Sequence, residues 1–299
     1  MIGHQREADF RRWSKPPTNS EEQRCKNAEN VVRNAILSHP SFAGRRIEVF
    51  AQGSYRNGTN VRANSDVDVC VRYMDACFSD LPNGYSTSDV GLVDATYSYG
   101  AFKNDVEHAL RSYVGGAAVS RGKKAFDLHA NSYRVDADVV PTFEHRRYSI
   151  NDGRYSYLSG TELIPDGGTP IINWPQQNFD NGLSKNAVTG TRFKKIVRVL
   201  KRLRDEMVDE GSAAAQPIPS YLIECLVWNA PNSAFDDETY AENLRAVLLH
   251  LYANTQTDAA CTEWGELNEL KYLFRGNQPW TRSAVNDFVV AAWNHAGFR

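Results

Sequence analysis

An alternating stretch at residues 66–73, DVDVCVRY, most constrains how this chain can fold. On a β-strand, residues two apart point to the same face, so Asp66 and Asp68 present two carboxylates side by side while the intervening valines point into a core. Upstream, residues 46–50 (RIEVF) alternate in the same way, and a Gly-Ser pair interrupts the pattern between the two stretches. The sequence therefore predicts strand, turn, strand, with two acids at the start of the second strand.

The paired acids predict a metal site, because two neighbouring carboxylates repel each other unless a cation lies between them. A hard divalent ion, Mg²⁺ first and Mn²⁺ as a substitute, prefers carboxylates together with substrate phosphates. Gly53 allows the backbone to approach a phosphate closely, and the turn can direct main-chain N–H groups and the Ser54 hydroxyl at that anion. Gly58-Thr59 extends the same loop. Two acids alone are more often solvated surface residues, but joined to a Gly-Ser turn by a short polar loop they indicate a phosphate and metal site.

A third acid is needed to hold a second metal ion and to accept the proton of an attacking hydroxyl. The segment YRVDADVVP, residues 133–141, offers Asp136 and Asp138 on one strand face. We assign the role to Asp138 and leave Asp136 as a supporting or solvated acid. Two Mg²⁺ ions about 3.5–4 Å apart would then activate the hydroxyl and stabilise the leaving pyrophosphate. The predicted catalytic and metal-binding residues are therefore Asp66, Asp68 and Asp138.

The rest of the chain divides into a mixed first part and a helical second part. Periodic stretches predict helices over 21–37, 101–113, 192–210, 220–228, 237–252 and 284–293, and strands over 125–129 and 133–140. Turn residues dominate 149–190, which predicts loops or a hairpin. We place a domain boundary near Lys185: residues 1–185 would form an α/β (α+β) nucleotidyltransferase catalytic core that includes a long N-terminal helix, and residues 186–299 a helical nucleotide-binding half.

Composition restricts the possible partners. Hydrophobic residues at 41% and charged residues at 23% are ordinary values for a soluble globular protein. A formal charge of −2 lacks the positive field that long nucleic acids require of a binder, although a basic cluster at residues 192–204 suits small nucleotides. The five cysteines form no CxxC pair, and no stretch resembles a signal peptide or a membrane span. We expect a cytoplasmic protein that binds neither membranes nor long nucleic acids.

Two motifs together resemble a known family. GSYRNGTNVRANSDVDV (residues 53–69) with the later DADVVP is similar to the cGAS/DncV-like nucleotidyltransferases (CD-NTases), relatives of oligoadenylate synthase in the polymerase β-like nucleotidyltransferase superfamily. Those enzymes have a GS turn, a DxD pair and a third Asp just before a V-[VL]-P strand end, which again selects Asp138. The resemblance implies a polymerase β-like sheet with a long N-terminal helix, and a C-terminal helical domain of the oligoadenylate synthase type. Residues 162–182 (ELIPDGGTPIINWPQQNFDNG) resemble the bacterial branch lettered clade G, whose products are cyclic dinucleotides made from GTP and ATP or from GTP alone.

The helical half carries three further candidates for nucleotide binding. By resemblance, IVRVLKRLRDE places a triphosphate-contacting lysine at Lys201, and PIPSYLIECLVW places a phosphate-contacting hydroxyl at Ser220 and a base-stacking ring at Tyr221. Independently, Lys194, Arg198 and Lys201 share one helical face by their i, i+4, i+7 spacing. From the residues alone, that face is also explained as a solvated basic surface, Ser220 as a helix N-cap and Tyr221 as a core aromatic.

These expectations combine into one leading function and two alternatives. The resemblance implies an enzyme that joins GTP and ATP, or two GTP molecules, into a cyclic dinucleotide second messenger (of the cyclic GMP-AMP or c-di-GMP type) and releases pyrophosphate. Its context would be bacterial antiphage (CBASS) signalling, with a regulatory protein as a further partner. The first alternative is a nucleotidyltransferase that modifies an RNA, a protein or a small molecule, although a polymer acceptor would require a long basic groove. The second is a non-catalytic nucleotide-binding module, which the three intact acids disfavour.

Overall fold

The computed structural model describes residues 6–61 and 66–298, and contacts divide the chain into two compact units. The sheet unit comprises Thr18–Tyr55 and Ala63–Gln176, and the helical unit comprises Met1–Pro17, Arg56–Arg62 and Gln177–Arg299. The helices are α1 (Glu7–Trp13), α2 (Asn19–Ser38), α3 (Gly53–Asn57), α4 (Tyr99–Val114), α5 (Pro175–Val188), α6 (Arg192–Asp209), α7 (Ser220–Asn229), α8 (Tyr240–Asn254) and α9 (Arg282–His295). Short 3-10 helices cover Pro40–Phe42, Thr87–Val90, Gly116–Ala118, Asn232–Phe235 and Ala259–Cys261. The strands are β1 (Ile47–Ala51), β2 (Val67–Asp80), β3 (Val119–Arg121), β4 (Phe126–Leu128), β5 (Ala137–Asn151), β6 (Arg154–Leu163) and β7 (Ile171–Asn173).

These strands form one sheet, in which β5 is central. β5 pairs in parallel with β2 along one side, and antiparallel with β4 and then β6 along the other side. β1 pairs with β2, β3 with β4 and β7 with β6, all antiparallel. The strand order is therefore β1-β2-β5-β4-β3, with β6 and β7 continuing from the second half of β5.

The alternation in β2 buries its valines against two helices. Val67 is fully buried and belongs to one hydrophobic cluster with Val32 of α2 and Phe102 of α4. α2 starts with a capping box: the Glu21 N–H donates to Thr18 Oγ1 at 3.4 Å, and the Thr18 N–H donates to Glu21 Oε2 at 2.6 Å. The predicted long N-terminal helix therefore packs on the sheet that carries the acids.

One cluster of buried side chains joins α1 with α6, α7, α8 and α9 in the helical unit. Phe10 of α1 is fully buried in this cluster, which explains why the first residues of the chain group with the helices. The contact-based units therefore cut the chain elsewhere than near Lys185, and the domain division into 1–185 and 186–299 stays a prediction. Within the described ranges, no helix is both long and apolar enough to span a membrane.

Residues 149–190 were predicted to form loops or a hairpin, and they contain more regular structure than that: the end of β5, all of β6 and β7, and α5. The turn from β5 to β6 is Asp152-Gly153, where both residues have positive φ (50° and 71°), as a tight two-residue hairpin requires. Pro175 is the first residue of α5, a position where proline is favoured. The hairpin alternative is therefore confirmed by β5 and β6, and the other turn residues in this stretch mark the ends of short elements rather than loops.

Candidate active site

Three carboxylates lie in a row across the middle of the sheet. Asp68 of β2 is the register partner of Asp138 of β5, and on the other side of β5 Asp138 is the register partner of Asp127 of β4. Register partners on neighbouring strands point to the same face, with backbones about 4.8 Å apart. Asp66 directly precedes β2, is exposed, and is close enough for its charge to act on Asp138. The structure thus brings the DxD pair and the predicted third acid together.

Burial and mutual repulsion raise the pKa of two of these acids, Asp138 and Asp66. Burial, followed by the charges of Asp66 and Asp127 and a hydrogen bond with Asp127, raises the pKa of Asp138 to about 6 from an ordinary 3.8. Although Asp66 is largely exposed, the partial burial of its carboxyl group, followed by the charges of Asp136 and Asp127, also raises its pKa. A divalent cation would relieve this repulsion, and carboxylate oxygens are ligands that Mg²⁺ prefers. The donor set of Asp66, Asp68 and Asp138 therefore fits a divalent metal ion.

Gly53 lies against the acid site. Its φ is +64°, in the left-handed region that favours glycine, and a Cβ placed on it would lie 2.2 Å from Asp68 Oδ2. The neighbouring Gln52 N–H donates to the Asp68 carbonyl oxygen at 2.8 Å. Instead of a simple turn, Gly53 and Ser54 begin the short helix α3. Only glycine allows the main chain to approach this carboxylate so closely.

Two further acids next to the site have different positions. Asp136 Oδ1 accepts a hydrogen bond from the Ala130 N–H at 2.6 Å, so this carboxylate supports the connection between β4 and β5. Asp127 was not singled out in the sequence, although it joins the row. A signal was present, because Phe126 and Leu128 are buried while Asp127 between them is exposed, the alternation of a half-buried strand.

The helical unit places Lys201 in a buried ion pair. Lys201 is 1% exposed, and its Nζ lies 2.6 Å from Glu224 Oε1 and 3.2 Å from the Thr59 carbonyl oxygen. Glu224 also accepts from Thr59 Oγ1 at 2.7 Å and from Asn57 Nδ2 at 3.1 Å. The interpretation of a solvated basic face is wrong for this residue. Its assignment to the triphosphate stays a prediction, and sequence reasoning missed its partner Glu224.

The other two cations of the same helix face also lie against the segment that follows α3. Arg198 is 5% exposed and donates to the carbonyl oxygens of Ser14 and Gly58. Lys194 is half-buried, with its Nζ 5.7 Å from the centre of the Phe179 ring, and burial lowers its pKa. The three residues therefore share a face as their spacing predicts, but Arg198, like Lys201, is buried there.

Ser220 and Tyr221 begin α7. Ser220 Oγ accepts a hydrogen bond from Arg204 Nη2 at 2.8 Å, and the N-cap position belongs to Pro219. The Tyr221 hydroxyl lies 3.0 Å from Glu266 Oε2. Ser220 is thus not the helix N-cap that its residue type suggested. Both hydroxyls contact other side chains of the protein, and their nucleotide-binding roles stay predictions.

Comparisons with known proteins found a family model, several relatives and solved structures that match this chain. Residues 180–297 match the model of the cGAS/DncV-like nucleotidyltransferase C-terminal helical domain. Two relatives named cyclic dipyrimidine nucleotide synthase CdnE are each 45% identical to this chain: one from Cecembia lonarensis over 96% of both chains, and one from Legionella pneumophila over 97% of both. The structure of the Elizabethkingia meningoseptica CdnE cyclic dinucleotide synthase with GTP and Apcpp matches with a TM-score of 0.81 at 32% identity, over 98% of this chain and 99% of that one. The shared CdnE name gives no support to the clade G branch suggested by residues 162–182.

Proposed function

Because this chain belongs to the cGAS/DncV-like nucleotidyltransferases, we propose that it joins two nucleoside triphosphates into a cyclic dinucleotide and releases pyrophosphate. The observation that carries the proposal is the in-register placement of Asp68 and Asp138 on neighbouring strands. Asp66 lies beside this pair, and Gly53 brings the main chain against Asp68. Acids held in this way on central strands fit a centre that transfers nucleotides.

Each transfer would be a displacement at phosphorus. The oxygen of a ribose hydroxyl bonds to the α-phosphorus, the bond from that phosphorus to the pyrophosphate oxygen breaks, and the hydroxyl proton passes to the Asp138 carboxylate. Asp66, Asp68 and Asp138 would hold a divalent metal, for which we propose two Mg²⁺ ions with Mn²⁺ as a substitute. Such ions, when bound, neutralise phosphate charge and make the hydroxyl a better nucleophile. A second transfer of the same kind closes the ring.

Five residues are proposed to bind the nucleotides. Gly53 and Ser54 would offer main-chain N–H groups and a hydroxyl to the triphosphate. By the family resemblance, Lys201 and Ser220 would contact phosphates and Tyr221 would stack on a base.

The identity of the bases is the finer part of the proposal. The sequence resemblance implied GTP with ATP, or GTP alone. Both relatives at 45% identity carry a name that specifies two pyrimidines, whereas the matching structure that contains GTP is only 32% identical. We therefore favour pyrimidine nucleoside triphosphates as the preferred substrates and keep the purine product as the second candidate.

An incubation with Mg²⁺ and all four nucleoside triphosphates, each labelled in turn, tests the proposal. A phosphatase-resistant product that carries label from UTP or CTP is expected, with mass spectrometry giving its composition and nuclease P1 revealing any 3′–5′ bonds. The Asp66→Asn, Asp68→Asn double variant is the control and should give no product. A product made only of purines would select the second candidate. Label found only on RNA, on protein or on a small acceptor, or no transfer at all by the folded protein, would refute cyclisation.

We also propose that the product acts as a second messenger in bacterial antiphage defence, made in the cytoplasm and subject to a regulatory protein partner. This part rests on the family resemblance. Plaque counts on bacteria that carry the natural gene neighbourhood, compared with the same neighbourhood encoding the double variant, test it. Equal plaque counts would contradict the defence role.

A further inference from the structure

We infer that Glu224 is a positioning residue that fixes the loop after α3, defined here as the 57–60 loop, for triphosphate binding. This inference rests on the proposed function, because α3 starts with the Gly53-Ser54 pair and ends at Asn57, the first residue of the loop. Nothing in the sequence pattern points to Glu224, which lies within the apolar run of α7.

Glu224 accepts three hydrogen bonds in a buried setting. Its Oε1 accepts from Lys201 Nζ at 2.6 Å and from Thr59 Oγ1 at 2.7 Å, and its Oε2 accepts from Asn57 Nδ2 at 3.1 Å. Glu224 is 2% exposed, and none of its partners exceeds 7%. A buried carboxylate is costly unless it is paired and hydrogen-bonded, and this one is both. The two loop side chains are therefore held by a group that cannot turn to solvent.

Helix α6 fixes the main chain of the same loop. Lys201 donates to the Thr59 carbonyl oxygen at 3.2 Å, and Arg198 donates to the carbonyl oxygen of Gly58. Gly58 has φ of +66°, so the loop takes a left-handed step at this point. The carbonyl oxygens of Gly58 and Thr59 are thus hydrogen-bonded to α6, and the side chains of the loop to Glu224 of α7. Because Glu224 also pairs with Lys201, it connects the bonds to the main chain with those to the side chains.

A glutamine at position 224 has nearly the same shape but cannot reproduce these bonds. It offers one acceptor oxygen and one NH₂ group, whereas all three partners of Glu224 donate. The NH₂ group of the glutamine would face one of these donors, with which it cannot form a hydrogen bond. The charge of Lys201 would also remain buried without a counter-charge. We expect the 57–60 loop to loosen. The loss of a hydrogen bond to a charged group corresponds to about a tenfold change or more in an equilibrium constant.

Steady-state pyrophosphate release by the full chain tests this role. Glu224→Gln should raise the KM for the nucleoside triphosphate by about tenfold or more, with kcat lowered by less than about threefold, because the acids stay in place. Thr59→Val removes one loop donor and leaves the Lys201–Glu224 pair intact, so it should raise KM by a few-fold with little loss of thermal stability.

Hydrogen exchange separates this inference from the proposed function. Amides of residues 53–61 should exchange faster in Glu224→Gln and in Thr59→Val than in the natural protein, whether or not any triphosphate is turned over. If the natural protein releases no pyrophosphate but exchange increases as expected, the proposed function fails and the fixing of the loop by Glu224 stands. Unchanged exchange together with unchanged KM in the folded variants would overturn the inference.

Discussion

Replacing Asp138 with asparagine should stabilise the metal-free protein while it removes activity. The pKa of Asp138 is about 6 rather than 3.8, first because of burial and then because of the charges of Asp66 and Asp127. A gap of about two pKa units corresponds to about 3 kcal/mol in the free energy of unfolding. Since Asp138 is only half-buried, solvent screening reduces the expected gain to roughly 1–1.5 kcal/mol.

The gain should appear in a defined pH window. Below pH 3.8 the carboxyl group of Asp138 is protonated in the folded and the unfolded protein, and it contributes no difference between them. As pH rises from there to about 6, the unfolded chain loses its proton first, so the natural protein becomes less stable relative to the Asn variant. Above about pH 6 the full difference is present.

Urea unfolding at pH 4, 6 and 7.5 in the presence of EDTA measures this difference. Asp152→Asn, at an exposed acid in the β5–β6 turn where asparagine tolerates the positive φ, is the matched control and should not show the trend. Added Mg²⁺ should stabilise the natural protein more than the Asp138→Asn variant. The reasoning would be refuted if the Asp138→Asn variant were less stable than the natural protein at pH 7.5. It would also be refuted if the difference in their free energies of unfolding were the same at all three pH values.

Three further outcomes follow from the same geometry. The Asp66→Asn, Asp68→Asn variant should keep its melting temperature or raise it and lose Mg²⁺-induced stabilisation, measured by thermal shift; stabilisation equal to that of the natural protein would place the metal elsewhere. Gly53→Ala should abolish pyrophosphate release because its Cβ would lie 2.2 Å from Asp68 Oδ2, whereas Gly44→Ala, with similar φ but open space around it, should not; equal activities would contradict the contact. Burial lowers the pKa of Lys185 to about 8 from 10.5, so stability should rise between pH 8 and 10.5, where the unfolded chain binds more protons. Lys185→Met should lack that rise in urea unfolding at pH 8 and 10, and an identical rise would argue against the assignment.

The family, the fold class and the nucleotidyltransferase assignment, all expected from the sequence, are confirmed by the relatives and the matching structure. The adjacency of Asp68 and Asp138 could be anticipated because each acid lies between two buried apolar residues of its strand, Asp68 between Val67 and Val69 and Asp138 between Ala137 and Val139. Alternation of period two fixes which side chains share a face, whatever the partner strand is. The position of Asp127 was harder to predict, because its strand covers only Phe126–Leu128 and so short an alternation is weak evidence for a strand face.

The surroundings of Lys201 lay beyond such reasoning. Helical spacing correctly groups it with Lys194 and Arg198, but periodicity does not tell whether a polar face meets water or another part of the chain. Its contacts with Thr59 connect residues 142 positions apart in the sequence. A polar residue buried by such a distant partner produces the same local pattern as a solvated one, so only the folded structure separates the two.

The difference between the acids and the lysine follows from the elements that hold them. β2 and β5 are paired on both sides, and a shift of register by one residue would move Asp68 to the core face and a valine to the surface. The buried valines therefore fix the position of the carboxylates, and with it the burial and the charge repulsion that raise the pKa of Asp138. The 57–60 loop has no such alternation, and its geometry depends on hydrogen bonds to Glu224 and its neighbours. Variants in the core of β2 should consequently affect metal binding and chemistry together, whereas variants around Glu224 should raise the KM for the triphosphate far more than they lower kcat.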